Sequence, residues 1–259
     1  MLRVVPTLLA FALSTSAWAA PLGYPWQAPG AAPHEALSHR FAAPADFQRV
    51  QLQRGDFGSW LRDLPLEPAG TAVHLFDGTE KPRQDVHLAV VSIDVGERDL
   101  QQCADAVMRL RAEYLLARGL PIVFHPEPAK QQHTLLFDPR QPDPGRRRLH
   151  RYFTLLFSEA GSASLQAELA SAPGPVHPGD VLIQGGFPGH AILVVDAVAD
   201  ATGKRKLMLT QSYMPAQQIH VLKNIDGSPW FDEAALDGKP GLATPEWRPF
   251  HRKDVRRFP

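Results

Sequence analysis

The chain carries a single cysteine, Cys103, at a point where a helix is expected to begin. Unpaired amides and the dipole at a helix start stabilise negative charge, and so favour the thiolate, the nucleophilic form of the side chain. Far downstream, GDVLIQGGFPGHAILVVDAV (179–198) places two apolar, strand-like runs on either side of Gly-Gly-Phe-Pro-Gly-His and opens the second with the ionisable His190. Gln211 falls in the next such run, LMLTQSY, where its amide oxygen can accept from the second ring nitrogen of a histidine. A nucleophile, a base and an orienting group from one helix and two neighbouring strands are what Cys–His chemistry needs. Gln101 and Gln102 are candidates to lend an amide to an oxyanion site beside the Cys103 N–H, and Ser212 is a further polar candidate on the opposite face from Gln211. Each residue also has a plainer reading. Cysteine is among the most buried residue types, a strand-end histidine is commonly satisfied by backbone, and a strand amide can do the same. The pairing carries the inference, not any one residue.

The elements that would position these groups follow from local signals. FGSWLRDLPL predicts a short helix stopped at Pro65. Thr71–Phe76 and Val86–Val95, with Asp77-Gly78 between them, predict a hairpin. Asp99 and Gln102 form a capping-box-like pair before a helix whose Leu100, Cys103, Val107, Leu110 and Tyr114 share one face, and Gly119-Leu120-Pro121 ends it. His125–Arg148 reads as loop with one short strand at 134–137, followed by helices at 148–158 and 164–169 joined across Gly161. Strands are expected at 180–184, 191–198, 206–213 and 218–223. The order predicts an α+β fold. Trp230, Phe231, Trp247 and Phe250 in the tail are expected to pin it to the domain, or to form a stacking wall for a sugar or peptide.

Composition bounds the remainder. Met1-Leu2-Arg3, an apolar run over 4–13 and Ala17-Trp18-Ala19 form the three-part pattern of a secretory signal peptide, cleaved near Ala19. No later apolar run has the length of a membrane span, and no cysteine follows at a lipid-anchor position, so a periplasmic or secreted protein is expected. Residues 20–40, rich in Pro and Gly, read as an N-terminal arm, and 41–259 as a single domain. The 27 basic and 27 acidic residues create no global field for nucleic acid, and Arg146, Arg147, Arg148 and Arg151 read as a solvated loop and helix start. The eleven histidines show no His-x-His or His-x3-His spacing, and His125 and His133 straddle a Pro-rich loop, so neither metal nor cofactor is expected. GGFPG lacks the Lys and Ser/Thr of a phosphate loop, and no Gly-x-Ser-x-Gly elbow is present.

Pro178-Gly179-Asp180-Val-Leu-Ile followed by Gly189-His190-Ala-Ile-Leu-Val-Val, downstream of a cysteine at a helix start, resembles the papain-like peptidoglycan amidases and endopeptidases of the NlpC type. The resemblance covers about a third of the mature chain. It implies a papain-like core, a cysteine-bearing helix packed on an antiparallel sheet, with Cys103 as nucleophile, His190 as base and Gln211 as orienter. The context Gln102-Cys103-Ala104 departs from that family's usual aspartate before the cysteine, and a strand pair precedes the helix. A second resemblance spans nearly all of the mature chain. DLQQCADAVMRLRAEYL, GDVLIQGGFPGHAILVVD, QSYMPAQQIHVLKN and SPW…TPEWRPF are similar to an exported bacterial family, the domain of unknown function 4846. It implies identity of family without an activity.

These readings predict an exported cysteine amidase or peptidase, a hydrolase or acyltransferase acting on an amide or ester, with a peptidoglycan fragment or peptide-like molecule as substrate. The alternative is a non-catalytic envelope protein that uses the same scaffold for binding. In the first case His190 is expected at the edge of an open cleft, facing the start of the Cys103 helix.

Overall fold

The computed structural model describes residues 22–28, 34–126, 133–141 and 145–259. The expected leader lies outside the described residues, as do residues 29–33 of the expected arm. The described helices are α1 (Leu37–Arg40), α2 (Phe57–Arg62), α3 (Cys103–Ala117), α4 (Arg146–Glu159) and α5 (Ser162–Glu168). The strands are β1 (Glu35–Ala36), β2 (Phe47–Arg49), β3 (Pro65–Leu66), β4 (His87–Val90), β5 (Ile122–Phe124), β6 (Leu135–Phe137), β7 (Ala170–Ser171) and β8 (Val181–Gln184). They continue as β9 (His190–Asp200), β10 (Arg205–Gln211), β11 (His220–Leu222), β12 (Trp230–Asp232), β13 (Leu242–Thr244), β14 (Trp247–Phe250) and β15 (Val255–Arg257). The described strands all pair antiparallel, and the main sheet runs β4-β11-β10-β9-β8-β15-β7, with β12 on β10 and β2 on β9. The fold is α+β, built on antiparallel sheets.

The near-continuous apolar runs of β8, β9 and β10 are explained by burial on both faces of the sheet. Val181, Ile183, Ala191, Leu193 and Val195 face a core shared with Ala104, Val107, Met108 and Leu110 of α3 and with Trp60 and Leu61 of α2. Leu182, Ile192, Val194, Leu207 and Leu209 face a second core closed by Phe231, Leu236, Leu242, Phe250 and Val255 of the C-terminal segment. The alternation inverts midway along β9. Met208 pairs with Asp196 but Leu209 with Val194, so Val195 is an extra residue, and beyond it Ala197 joins the second core and Val198 the first. Without this bulge Asp196 would point into the second, apolar core. With it, Asp196, fully buried, accepts from Arg49 Nε and Arg62 Nε at 2.7 Å each, so its charge is answered.

Several expectations change. Thr71–Phe76 and Val86–Val95 do not pair as a hairpin. His74 and Leu75 make single bridges to Glu80 and Gln217, and β4 pairs instead with β11. A strand edge takes the partner that buries it best, and the β4 residues Ala89 and Val90 are buried in that position. The short strand expected near 134–137 is β6, and it finds a partner in β5, which falls between the expected helix end at Pro121 and the loop expected from His125. The tail, expected to dock as loop, forms β12 to β15, and β15 lies between β8 and β7. The described part of the arm is tightly docked. Tyr24 Oη donates to the Trp60 carbonyl at 3.0 Å, Trp26 Nε1 to that of Ser92 at 2.6 Å, and the three aromatic rings lie 5.0–5.7 Å apart. Leu37 is fully buried, so the core begins before residue 41.

Candidate active site

Cys103 is the first residue of α3, and Gln102 is its N-cap. The N-cap is Gln102, not Asp99, and its N–H donates to Asp105 Oδ2 at 3.1 Å. Asp99 instead braces the turn, its Oδ1 accepting from Gln102 Nε2 at 3.0 Å and from the Ala216 N–H at 2.7 Å.

His190 opens β9, and Gln211 ends the neighbouring β10. His190 belongs to the same face as Ile192 and Val194, toward Phe250, whereas α3 packs on the other face. The two meet at the end of the sheet, beyond the last β9–β10 pair, Leu193 with Thr210. There the backbone amide of Ala191, the residue after His190, and the amides of Cys103 and Ala104 each favour the thiolate of Cys103. Gly189 permits this close packing. A Cβ at that position would collide with Ser162 Oγ at the start of α5 and come within 2.6 Å of the Gly186 carbonyl oxygen. The permissive turn before His190 therefore seats the strand against α5.

His190 Nε2 lies 2.9 Å from Gln211 Oε1. The orientation of that amide follows from its other end, since Gln211 Nε2 donates to Glu246 Oε2 at 2.8 Å and must therefore present its oxygen to the ring. This makes Nε2 the protonated nitrogen of His190 and leaves Nδ1 as the lone-pair atom. Nδ1 is buried and meets no hydrogen-bond partner among the described residues. Behind Gln211, Glu246 Oε1 accepts from Lys81 Nζ at 2.6 Å, with both side chains nearly buried at 8 % and 4 % exposure. Tyr213 Oη donates to the Glu246 carbonyl at 3.0 Å, and Lys81 Nζ stands 5.5 Å from the Tyr213 ring centroid.

The electrostatics give a neutral pair. Burial pushes the Cys103 thiol up, outweighing the three amides that favour its thiolate, with nearby Asp105 adding to the rise. Burial takes His190 down to about 4, only partly opposed by its bond to Gln211. The lowered thiol expected from the helix start alone is thus reversed by desolvation. The open cleft edge is also not found. His190 is fully buried, with Tyr213 and Trp247 at 5.1 and 5.0 Å between ring centroids. A groove of about 470 Å³ lies on the outer side of these two rings, with Arg83, Glu246 and Arg248 on its walls.

The three candidates for an oxyanion or substrate role have other work. Ser212, fully buried, shares its one hydroxyl proton between the carbonyls of Gln217 at 2.8 Å and Gln101 at 3.1 Å, which clasps the turn before α3 to the sheet. The Gln102 side chain donates through Nε2 to Asp99 Oδ1 within the turn. Gln101 faces a separate cleft on the other side of that turn. Asp180 of the Pro-Gly-Asp motif is buried and accepts from Arg257 Nε and Nη2 and from the His177 N–H, so it ties the last strand down. His125 and His133 face Glu168 and Glu159, and among the described residues no three His, Cys, Asp or Glu side chains converge as a metal site requires. Lys81, Tyr213, Glu246 and Trp247 were missed as site residues. Lys81 and Glu246 come from distant segments, Tyr213 sits two residues after Gln211, and only the aromatic crowding of the tail pointed to Trp247.

The family described as Domain of unknown function (4846) matches residues 37–125 and 127–257. The chain belongs to this family. The match covers both the α3 segment and the strands that carry His190, Gln211 and Glu246, so the whole constellation lies within the family domain. Neither the curated proteins nor the solved structures contain a match to the chain.

Proposed function

We propose that the protein is an exported cysteine hydrolase of the amidase or peptidase kind, with a papain-like, NlpC-type core and a peptidoglycan-related amide as its substrate. The observation that carries this reading is His190, whose Nε2 is committed to Gln211 while its buried Nδ1 is left bare at the strand end whose next amide, that of Ala191, favours the Cys103 thiolate. Because both groups rest neutral, His190 acts as a general base during attack, not as half of a standing ion pair. Nδ1 takes the thiol proton as sulfur bonds to the carbonyl carbon and the carbonyl electrons move to oxygen. The amides of Cys103 and Ala104 face that charge. The oxyanion collapses, the C–N bond breaks, and the leaving amine receives the proton from Nδ1. Water then attacks the thioester with His190 again as base, releasing the acid and restoring the thiol. Access requires the Tyr213–Trp247 cover to shift, and the leader-like first 19 residues support an envelope setting where peptidoglycan is the available amide polymer.

A second reading, a non-catalytic envelope binding protein on the same scaffold, is favoured by one observation: Cys103 is only 6 % exposed and His190 not at all. Alkylation by iodoacetamide separates the two. The catalytic reading expects labelling of native Cys103 between pH 5 and 7 faster than in His190→Ala by about tenfold or more, falling as pH drops through about 4, where His190 gains its proton and ceases to be a base. Equal rates in the two proteins, or labelling only on unfolding, assign the scaffold to binding.

A further inference from the structure

A cleft of about 710 Å³ opens on the side of the pre-α3 turn away from His190, between α3, α4 and the loop at 74–78. Its volume is that of a small-molecule site. Gln101, only 1 % exposed, forms part of the wall. Arg109 Nη1 donates to Gln101 Oε1 at 3.0 Å, which fixes the amide, because the reversed amide would set donor against donor. Gln101 Nε2 is then a buried donor with no partner among the described residues. Leaving such a group unsatisfied is costly, so an acceptor that reaches it from the cleft is favoured.

The other walls say which acceptor. The Arg109 guanidinium is already held by Glu113 at 2.9 Å and Asp94 at 3.2 Å, and lies 4.7 Å from the Phe153 ring centroid, so it offers an anion no unanswered charge. The ionised lining residues balance, Asp94 and Glu97 against Arg98 and Arg109. Asp94, half exposed, is an acceptor on the same wall and would repel a carboxylate. Phe153 and Phe157 supply an apolar face. A neutral group with one acceptor, one donor and an apolar end fits all of these, and that description is a secondary amide.

We propose that this cleft is a binding site for an N-acyl group, whose carbonyl accepts from Gln101 Nε2, whose N–H donates to Asp94 and whose acyl carbons rest on Phe153 and Phe157. The site is independent of Cys103 chemistry and stands whether or not the thiol is a nucleophile. An N-acylated amino sugar and a blocked peptide both carry the group, and the experiment separates them. Saturation-transfer NMR on the full chain, with N-acetylglucosamine and N-acetylalanine methylamide as probes and glucosamine and acetate as controls, is expected to show transfer to an acetyl methyl and none to either control. The acetylated probe that binds more tightly identifies the source. Gln101→Glu, which keeps an acceptor for Arg109 but removes the donor, is expected to weaken that probe about tenfold or more, and Cys103→Ala to leave it unchanged. No transfer to either acetylated probe at millimolar concentration, equal binding of acetate, an unaffected Gln101→Glu, or loss of binding in Cys103→Ala each overturns the proposal. The comparison among probes needs no variant, so it decides even if Gln101→Glu fails to fold.

Discussion

Replacing Glu246 by Gln strips the negative charge from a buried pair while keeping the shape of the side chain and an acceptor for Gln211 Nε2. The ammonium of Lys81 is then left 4 % exposed with its 2.6 Å partner neutralised. Breaking one side of a buried pair typically costs about 3–5 kcal/mol, against near neutrality when both charges are removed together. Lys81 can escape part of the penalty by losing its proton, since burial already pulls it down and Glu246 is the principal group holding it up. We therefore expect a loss of about 3 kcal/mol near pH 7, or about 6–12 °C in Tm for a chain of this size. The sign of the pH dependence follows from the lowered folded-state value of a lysine. The cost is absent above the unfolded value of about 10.4, and grows as pH falls and the unfolded chain takes up a proton that the folded variant resists. The assay is a double-mutant cycle in urea with Glu246→Gln, Lys81→Met and the pair together, at pH 7 and pH 10. The double variant is expected to be far closer to the parent than the two losses added, with a coupling of about 2 kcal/mol that shrinks at pH 10. Coupling below about 0.5 kcal/mol at pH 7 refutes the claim that this pair is a desolvated unit behind Gln211.

Nitrogen chemical shifts of labelled His190 should report the Nε2–H tautomer at pH 7, and in Gln211→Leu the preference should weaken; an Nδ1–H tautomer in the parent would remove the bare base on which the mechanism depends. Asp105, held up to about 8 by burial, keeps its proton in the fold over a range where the unfolded chain loses it. Its contribution to stability is full below about pH 4 and is lost as pH rises toward 8, so Asp105→Asn should gain on the parent by on the order of a few kcal/mol between urea midpoints at pH 4 and pH 8. A constant difference between the two proteins across that range would contradict the buried, protonated state. Gly189→Ala has nowhere to put its methyl beside Ser162 and Gly186, and should destabilise by about 1–3 kcal/mol while slowing Cys103 alkylation; pairing it with Ser162→Gly should restore part of both, and no recovery would place the strain elsewhere.

What could be read along the chain was local. The apolar runs at β8, β9 and β10 are long and rich in β-branched residues, so strands there needed no knowledge of their partners. Cys103 at a helix start, and Gln211 one strand away from His190, were legible for the same reason. The choice of partners was not. His87–Val90 looks like half of a hairpin until β11, more than a hundred residues later, offers its edge, and a single bulged residue, Val195, decides which face Asp196 occupies. The pairing of Lys81 with Glu246 spans 165 residues and leaves no trace in spacing or periodicity. Protonation followed the same division. A helix start is a local feature and argues for a lowered thiol, but burial raises Cys103, and the burial that lowers His190 is assembled from Tyr213 just after β10 and from Trp247 and Phe250 of the folded tail. Hydrophobic period and capping are encoded residue by residue, whereas desolvation and long-range charge pairing exist only once distant segments exclude water together.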